Sequence, residues 1–217
     1  MYVFSSDSEK HPSSICILGC PRGGTSMVSG VLRILDVSMG ENIDLDNNED
    51  IDFLTHKGNR KIFRNRSNEY DQYINNLQKL IETRNNANNL WGWKDPLSGY
   101  YIQDIYEYLQ SPIFIFITRD LVAIAEREAK EEFKEQSTNA DSYLAYIDNA
   151  LEIYKLELDF IVRNKPPTMF VSYEKSILNP TNFVLELIKF INYSSDDNSK
   201  IEAALNYIKP ARGTAKI

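Results

Sequence analysis

The stretch from Ser14 to Ser26 reads SICILGCPRGGTS and fixes the local chain path more tightly than any other part of the sequence. Ile15, Cys16, Ile17 and Leu18 form an apolar run that stops at Gly19. Pro21, Gly23 and Gly24 interrupt regular structure, and Thr25 and Ser26 are residues that can cap a helix. Met27, Val28, Val31, Leu32 and Leu35 then recur at helical spacing. The order is therefore buried strand, Gly-rich turn, helix. A helix start leaves N–H groups without intrahelical partners and carries partial positive charge, and glycines let an anion reach that backbone. Gly19 to Ser26 comes close to the nucleotide-binding pattern G-x-x-x-x-G-K-[ST], with Thr25 standing at the lysine position. Arg22 is the loop's one cation and can grip an anionic group bidentately. Such a loop suits phosphate but is poorly equipped for the β- and γ-phosphates and magnesium of ATP hydrolysis.

CPRGGTS resembles the 5′-phosphosulfate-binding loop of the sulfotransferases, often written P-[KR]-[SG]-G-T-[ST]. The resemblance implies a P-loop-kinase-like fold. It also implies transfer of a sulfuryl group from 3′-phosphoadenosine 5′-phosphosulfate (PAPS) to a hydroxyl or amine. On that reading Pro21, Arg22, Gly23, Gly24, Thr25 and Ser26 hold the 5′-phosphosulfate.

Further blocks follow in family order. After the first helix, ENIDLDNNEDIDF is acidic and turn-rich, and most of its carboxylates are expected to be solvated. Glu49 and Asp50 sit where many bacterial-type members carry an acidic motif near the acceptor. From Asp50 to about Arg84 the pattern is helical, with Tyr70, Tyr73, Ile74, Leu77, Leu80 and Ile81 on one face, and His56 in this region could serve as a base. LWGWK, Leu90 to Lys94, reads as a second strand running into Asp95-Pro96. WGWKDP resembles the family's K-D-P segment, which implies that Lys94 neutralises charge as the S–O bond breaks and that Asp95 orients Lys94 or acts as general base. Between a strand-end ion pair and a reaction-centre role for Lys94–Asp95, the position at a strand C-terminus favours the second.

IFIFIT, Ile113 to Thr118, is the strongest strand pattern in the chain and runs into Arg119-Asp120 and a charged helix. The family's 3′-phosphate site reads strand, R-[ND]-P, then a serine eight residues after the arginine. Arg119 fits that arginine, Leu121 replaces the proline, and Arg127 stands where the serine would be. Asn139 to Val162 reads as a long amphipathic helix with Tyr143, Tyr146, Ile147, Leu151, Tyr154, Leu158 and Ile161 inward. Thr168 to Ser172 is a fourth strand, and the following Tyr173 and Glu174 read as structural. The C-terminal IKPARGTAKI carries Lys209, Arg212, Gly213 and Lys216; the resemblance implies that Arg212 and Gly213 belong to a basic loop over the 3′-phosphate, whereas the residues alone also suit a basic tail.

The expected fold is α/β, three layers, with a central parallel sheet of about four to five strands and right-handed crossovers. Its strands are Ile15–Gly19, Leu90–Trp93, Ile113–Thr118 and Thr168–Ser172. A chain of 217 residues fits one domain, taken as 14–217, with 1–13 as a mobile tail. A net charge of −7 argues against a nucleic-acid partner, and no apolar run is long enough for a membrane span. Cys16 and Cys20 do not form a disulfide framework, so a reducing, cytoplasmic setting is expected. Ser26 occupies the arginine position of a C-x₅-R-[ST] phosphatase loop, which excludes that reading. No metal is required by the proposed chemistry, since backbone N–H groups and two cations can stabilise the charge. The general base is Asp95, Glu49 or Asp50, in that order, or His56. The acceptor is a small molecule or a carbohydrate. A P-loop small-molecule or nucleoside kinase and a non-catalytic nucleotide-binding module are the alternatives.

Overall fold

The computed structural model describes residues 2–4, 12–54, 63, 66, 68–133, 140–194 and 198–208. The strands are β1 (Tyr2–Phe4), β2 (Ser14–Leu18), β3 (Ile43–Asp44), β4 (Glu49–Asp50), β5 (Trp91–Lys94), β6 (Pro112–Thr118) and β7 (Thr168–Ser172). The helices are α1 (Thr25–Ile34), α2 (Asn68–Ala87), α3 (Ile102–Ile105), α4 (Leu121–Phe133), α5 (Ala140–Asn164), α6 (Tyr173–Leu178), α7 (Pro180–Phe190) and α8 (Asn198–Tyr207). Short 3₁₀ turns at Ser98–Tyr100 and Tyr106–Tyr108 flank α3. Among the described residues no helix is long and apolar enough to cross a membrane.

The main sheet runs in the order β1-β7-β6-β2-β5. β2 lies parallel between β5 and β6, with Cys16 opposite Trp93 on one side and Phe114 on the other. β7 extends the parallel set beyond β6. Strands covered on both faces need apolar side chains throughout, which is why β2 and β6 read as unbroken hydrophobic runs. The core is split by the sheet. One face holds Phe53, Tyr73, Trp93, Phe114, Ile153 and Phe160; the other holds Val28, Leu32, Ile115, Val171, Phe183 and Leu187.

Three details depart from the sequence reading. Tyr2–Phe4 lies inside the expected tail yet pairs antiparallel with β7, so the sheet gains a fifth, non-parallel edge strand. Glu49–Asp50 pairs with Ile43–Asp44 as a small hairpin, so the helical pattern does not start at Asp50; of the expected span, helix α2 covers Asn68–Ala87 and residues 55–62, 64, 65 and 67 lie outside the described residues. Helix α5 turns Ala150, Ile153, Tyr154, Glu157, Phe160 and Ile161 inward, while Leu151 and Leu158 face solvent. The buried face carries a glutamate, so a stripe counted from apolar residues alone comes out rotated.

Candidate functional site

Loops leave the carboxyl ends of β2, β5 and β6, and α6 follows β7 directly, at one edge of the sheet, the edge where ligands bind in parallel α/β folds. They surround a cavity of about 500 Å³. Of the expected site residues, Pro21, Arg22, Gly24, Thr25, Ser26, Glu49, Lys94, Asp95, Arg119 and Arg127 line it. Gly23 and Asp50 do not. His56, Arg212 and Gly213 lie outside the described residues, as do Lys209 and Lys216.

The loop after β2 is shaped by its backbone. Gly24 sits at φ 100°, and a Cβ there would fall 2.4 Å from the Tyr173 ring. Arg22 is also left-handed, at φ 59°, a strained setting for a residue with a side chain. Thr25 and Ser26 do not cap α1. Gly24 is the N-cap, and among the described residues no side chain bonds the first-turn N–H groups. The Arg22 guanidinium lies against two carboxylates of α4, 3.6 Å from Glu128 and 3.1 Å from Glu131.

Arg119 ties this loop to β6. Its Nη1 donates to the Arg22 carbonyl oxygen at 3.0 Å, and its guanidinium carbon lies 4.6 Å from the centre of the Tyr173 ring. Its Nε is buried with no hydrogen-bond partner in the structure. A buried, unpaired charged donor is costly, and a bound anion would satisfy it. Tyr173, read from the sequence as structural, thus forms part of the wall. Arg127 reaches the cavity from an exposed position on α4.

On the β5 side, the Lys94 ammonium donates to Glu49 Oε1 at 2.7 Å and to the Asn47 carbonyl oxygen at 3.3 Å. Asp95 is 3% exposed, accepting from the Leu97 N–H and the Tyr101 hydroxyl, both at 2.9 Å. Burial, with the Glu49 charge adding, pushes its carboxyl up to about 6, against the pull of those two donors and Lys94. The unfolded value is near 3.8, so the unfolded chain ionises first as pH rises and stability is lost between about pH 4 and pH 6. Asp95→Asn removes that loss while leaving an oxygen to accept from Leu97 N–H. Its stability relative to the parent should therefore rise by about 2 kcal/mol from pH 4 to pH 7. Urea denaturation at both pH values measures this, and a difference independent of pH would refute the titration.

Asp50 faces away from the cavity. It is 0% exposed and paired with Arg84, through Nη1 and through Nη2 at 3.2 Å. Arg84 also bonds Asp52 at 3.1 Å and lies over Phe53 at 5.5 Å and Trp91 at 5.8 Å. Asp50 is a structural anchor for the segment carrying Glu49.

Sequence reasoning passed over Glu157. Fully buried on α5, it accepts from the Gly19 N–H at 2.9 Å. One turn earlier, the Tyr154 hydroxyl accepts from the Arg119 N–H at 3.1 Å. One face of α5 therefore braces the roots of both the β2 and β6 loops. Burial pushes the Glu157 carboxyl well up, with Asp95 adding to the effect. Burial also pushes the Cys20 thiol up to about 12, away from the thiolate form in which a cysteine attacks.

No protein-family model matches the chain, and no curated protein does. Among solved structures it is similar to a sulfotransferase domain from the curacin biosynthetic pathway, with a TM-score of 0.58 and 15% identity over 95% of this chain and 81% of that one. It is also similar to the sulfotransferase STF1 from Mycobacterium tuberculosis H37Rv, with a TM-score of 0.50 and 16% identity over 91% of this chain and 71% of that one. At such identities the likeness is one of fold. The chain has the fold of sulfotransferase domains.

Proposed function

We propose that the protein is a PAPS-dependent sulfotransferase acting on a hydroxyl or amine. One observation carries the reading: an uncapped, Gly-bent phosphate loop shares its cavity with Arg119, whose buried Nε has no partner, and with the Lys94–Glu49 pair. The fit of the donor is supported by the unpartnered Arg119 Nε and by the uncapped first turn of α1 beside it.

In this reading the loop N–H groups of Gly24, Thr25 and Ser26 hold the 5′ anion, and Arg119 holds the 3′-phosphate that separates PAPS from ATP. Arg22 exchanges its α4 carboxylates for the donor. When bound, the donor supplies the sulfuryl group: the acceptor's O–S bond forms as the sulfur–phosphate oxygen bond breaks, the acceptor proton going to a carboxylate and the departing electron pair to the phosphate oxygen. Glu49, which lines the cavity against the Lys94 ammonium, takes that role in this reading, with Asp95 as the other candidate. Lys94 neutralises the charge that develops.

The test is thermal stability with PAP, the desulfated donor, and separately with ATP–magnesium. Ligand at 100 times its dissociation constant adds about 2.7 kcal/mol. For a domain of this size that is a shift of roughly 5–10 °C. PAP is expected to give the shift, and Arg119→Ala to remove most of it. A shift with ATP–magnesium alone would replace this reading with the kinase one.

A further inference from the structure

Asn47, Asn48 and Glu49 are consecutive residues that serve two different elements. Lys94, at the end of β5, donates to the Asn47 carbonyl oxygen and to the Glu49 carboxylate. Asn48, between them, is 7% exposed and turns to α1 instead. Its carbonyl oxygen accepts from the Ser29 hydroxyl at 3.0 Å, and its Oδ1 accepts from Arg33 Nη1 at 2.7 Å. Its Nδ2 donates to the Tyr207 hydroxyl at 3.0 Å and, at a longer 3.4 Å, to the Ser26 carbonyl oxygen. Asn47 and Glu49 line the cavity, and Asn48 does not.

The backbone permits this division. Asn48 sits at φ 52°, in the left-handed region that asparagine enters more readily than most residues with a side chain. Ser26, Ser29 and Arg33 lie three and then four positions apart, so they share one face of α1. Gly30 falls on that face too, and a Cβ there would come 2.2 Å from the Tyr207 hydroxyl oxygen. Glycine at that position makes the room through which α8 brings its hydroxyl to Asn48. A buried amide bonded at both atoms resists displacement, because any group pulled from its partner is left unsatisfied. The first turn of α1 is the uncapped turn at the cavity. One side chain therefore connects that helix with the Lys94–Glu49 pair.

We propose that Asn48 is a positioning residue: it ties the Lys94–Glu49 pair to α1, so that an anion held at the start of α1 also fixes the ammonium and carboxylate across the cavity. The inference rests on the sulfotransferase reading above. Asn48 acts through its two chain neighbours, whose carbonyl and carboxylate both hold Lys94. The link matters because placement is exacting. A displacement of about 1 Å at a reacting group is enough to cost about 10²-fold in rate. Donor binding changes the order of a segment it does not touch only when something bonded to both carries the effect. The bonds from Asn48 to Ser29, Arg33 and Ser26 supply that connection.

The experiment is hydrogen exchange on the full chain, with PAP as the probe and its saturation fixed by calorimetry. PAP is expected to slow amide exchange about fivefold or more at residues 24–28, by contact, and at residues 48–51, through Asn48. Asn48→Gly keeps the left-handed backbone and the carbonyl bond to Ser29 while removing the three side-chain bonds. In that variant PAP should bind within about threefold of the parent and still slow residues 24–28, with the slowing at 48–51 cut to less than about twofold. Arg33→Met removes the shortest of those bonds from the α1 side and is expected to weaken the slowing at 48–51 as well. It serves as the second variant should Asn48→Gly not fold. A residue that only supports the fold would raise exchange at 48–51 equally with and without PAP; an unchanged ratio in the folded variants overturns the proposal. Slowing confined to residues 24–28 in the parent overturns it too and leaves the donor reading standing. Failure of PAP to bind the parent overturns the donor reading and this inference with it.

Discussion

Replacing Lys94 by methionine is expected to slow sulfuryl transfer about 10²–10³-fold while leaving PAP affinity within about threefold of the parent. The size follows from losing one preorganised charge where negative charge develops, about 3–4 kcal/mol of barrier. The separation of binding from chemistry follows from position. The Lys94 ammonium bonds Glu49 and Asn47, both in the acidic segment, whereas the expected donor contacts lie in the β2 loop and at Arg119. Methionine keeps the length of the stem, so the buried site at 2% exposure is refilled rather than emptied. Glu49 stays in place but loses its cation, which adds to the rate loss if Glu49 is the base. Single-turnover transfer and PAP calorimetry measure the two quantities separately. Turnover within tenfold of the parent would remove Lys94 from the reaction centre, and a matching loss of PAP affinity would make it a donor contact instead.

How much of this was legible in advance depended on whether the signal was local. The β2 loop announces itself because glycine, proline and the apolar run before them are consecutive in sequence. Lys94 and Arg119 were legible for a related reason: each follows a strand pattern directly, and strand ends in a parallel sheet point to the ligand edge. What stayed hidden depends on partners distant in the chain. The Glu157 contact to Gly19 spans 138 positions, and a glutamate on an apolar stripe looks like a surface residue until its partner is known. Tyr173 meets the site through Arg119 over its ring and Gly24 beside it, both distant in sequence. Asp50 and Glu49 were indistinguishable as neighbouring carboxylates. In an extended segment adjacent side chains point to opposite sides, so Glu49 reaches the cavity and Asp50 turns to Arg84.

That opposition makes Asp50→Ala a second large effect, on stability. Asp50 and Arg84 are 0% and 5% exposed, so deleting the carboxylate leaves a buried guanidinium with Asp52 as its remaining ion-pair partner in the structure. Breaking a buried pair from one side costs about 3–5 kcal/mol, far more than an exposed pair is worth. In a domain of this size that lowers Tm by roughly 6–20 °C. Restoring balance with Asp50→Asn/Arg84→Met should recover most of the loss, since a neutral, well-packed pair is often as stable as the ionic one. The recovery is expected to be incomplete, because Arg84 also covers Phe53 and Trp91. Thermal and urea unfolding of the parent, Asp50→Ala and the double variant measure the loss and the recovery; adding Asp50→Asn and Arg84→Met alone closes the cycle. An anchor and a catalytic base predict different activities. If Asp50 only holds the segment, the folded single variant assayed well below its Tm keeps the parent's pH profile, with a rate reduced by whatever displacement reaches Glu49. If Asp50 takes the acceptor proton, the double variant regains its fold and still loses the reaction. Stability recovered together with turnover would place Asp50 in the scaffold and leave Glu49, one residue earlier, to meet the acceptor.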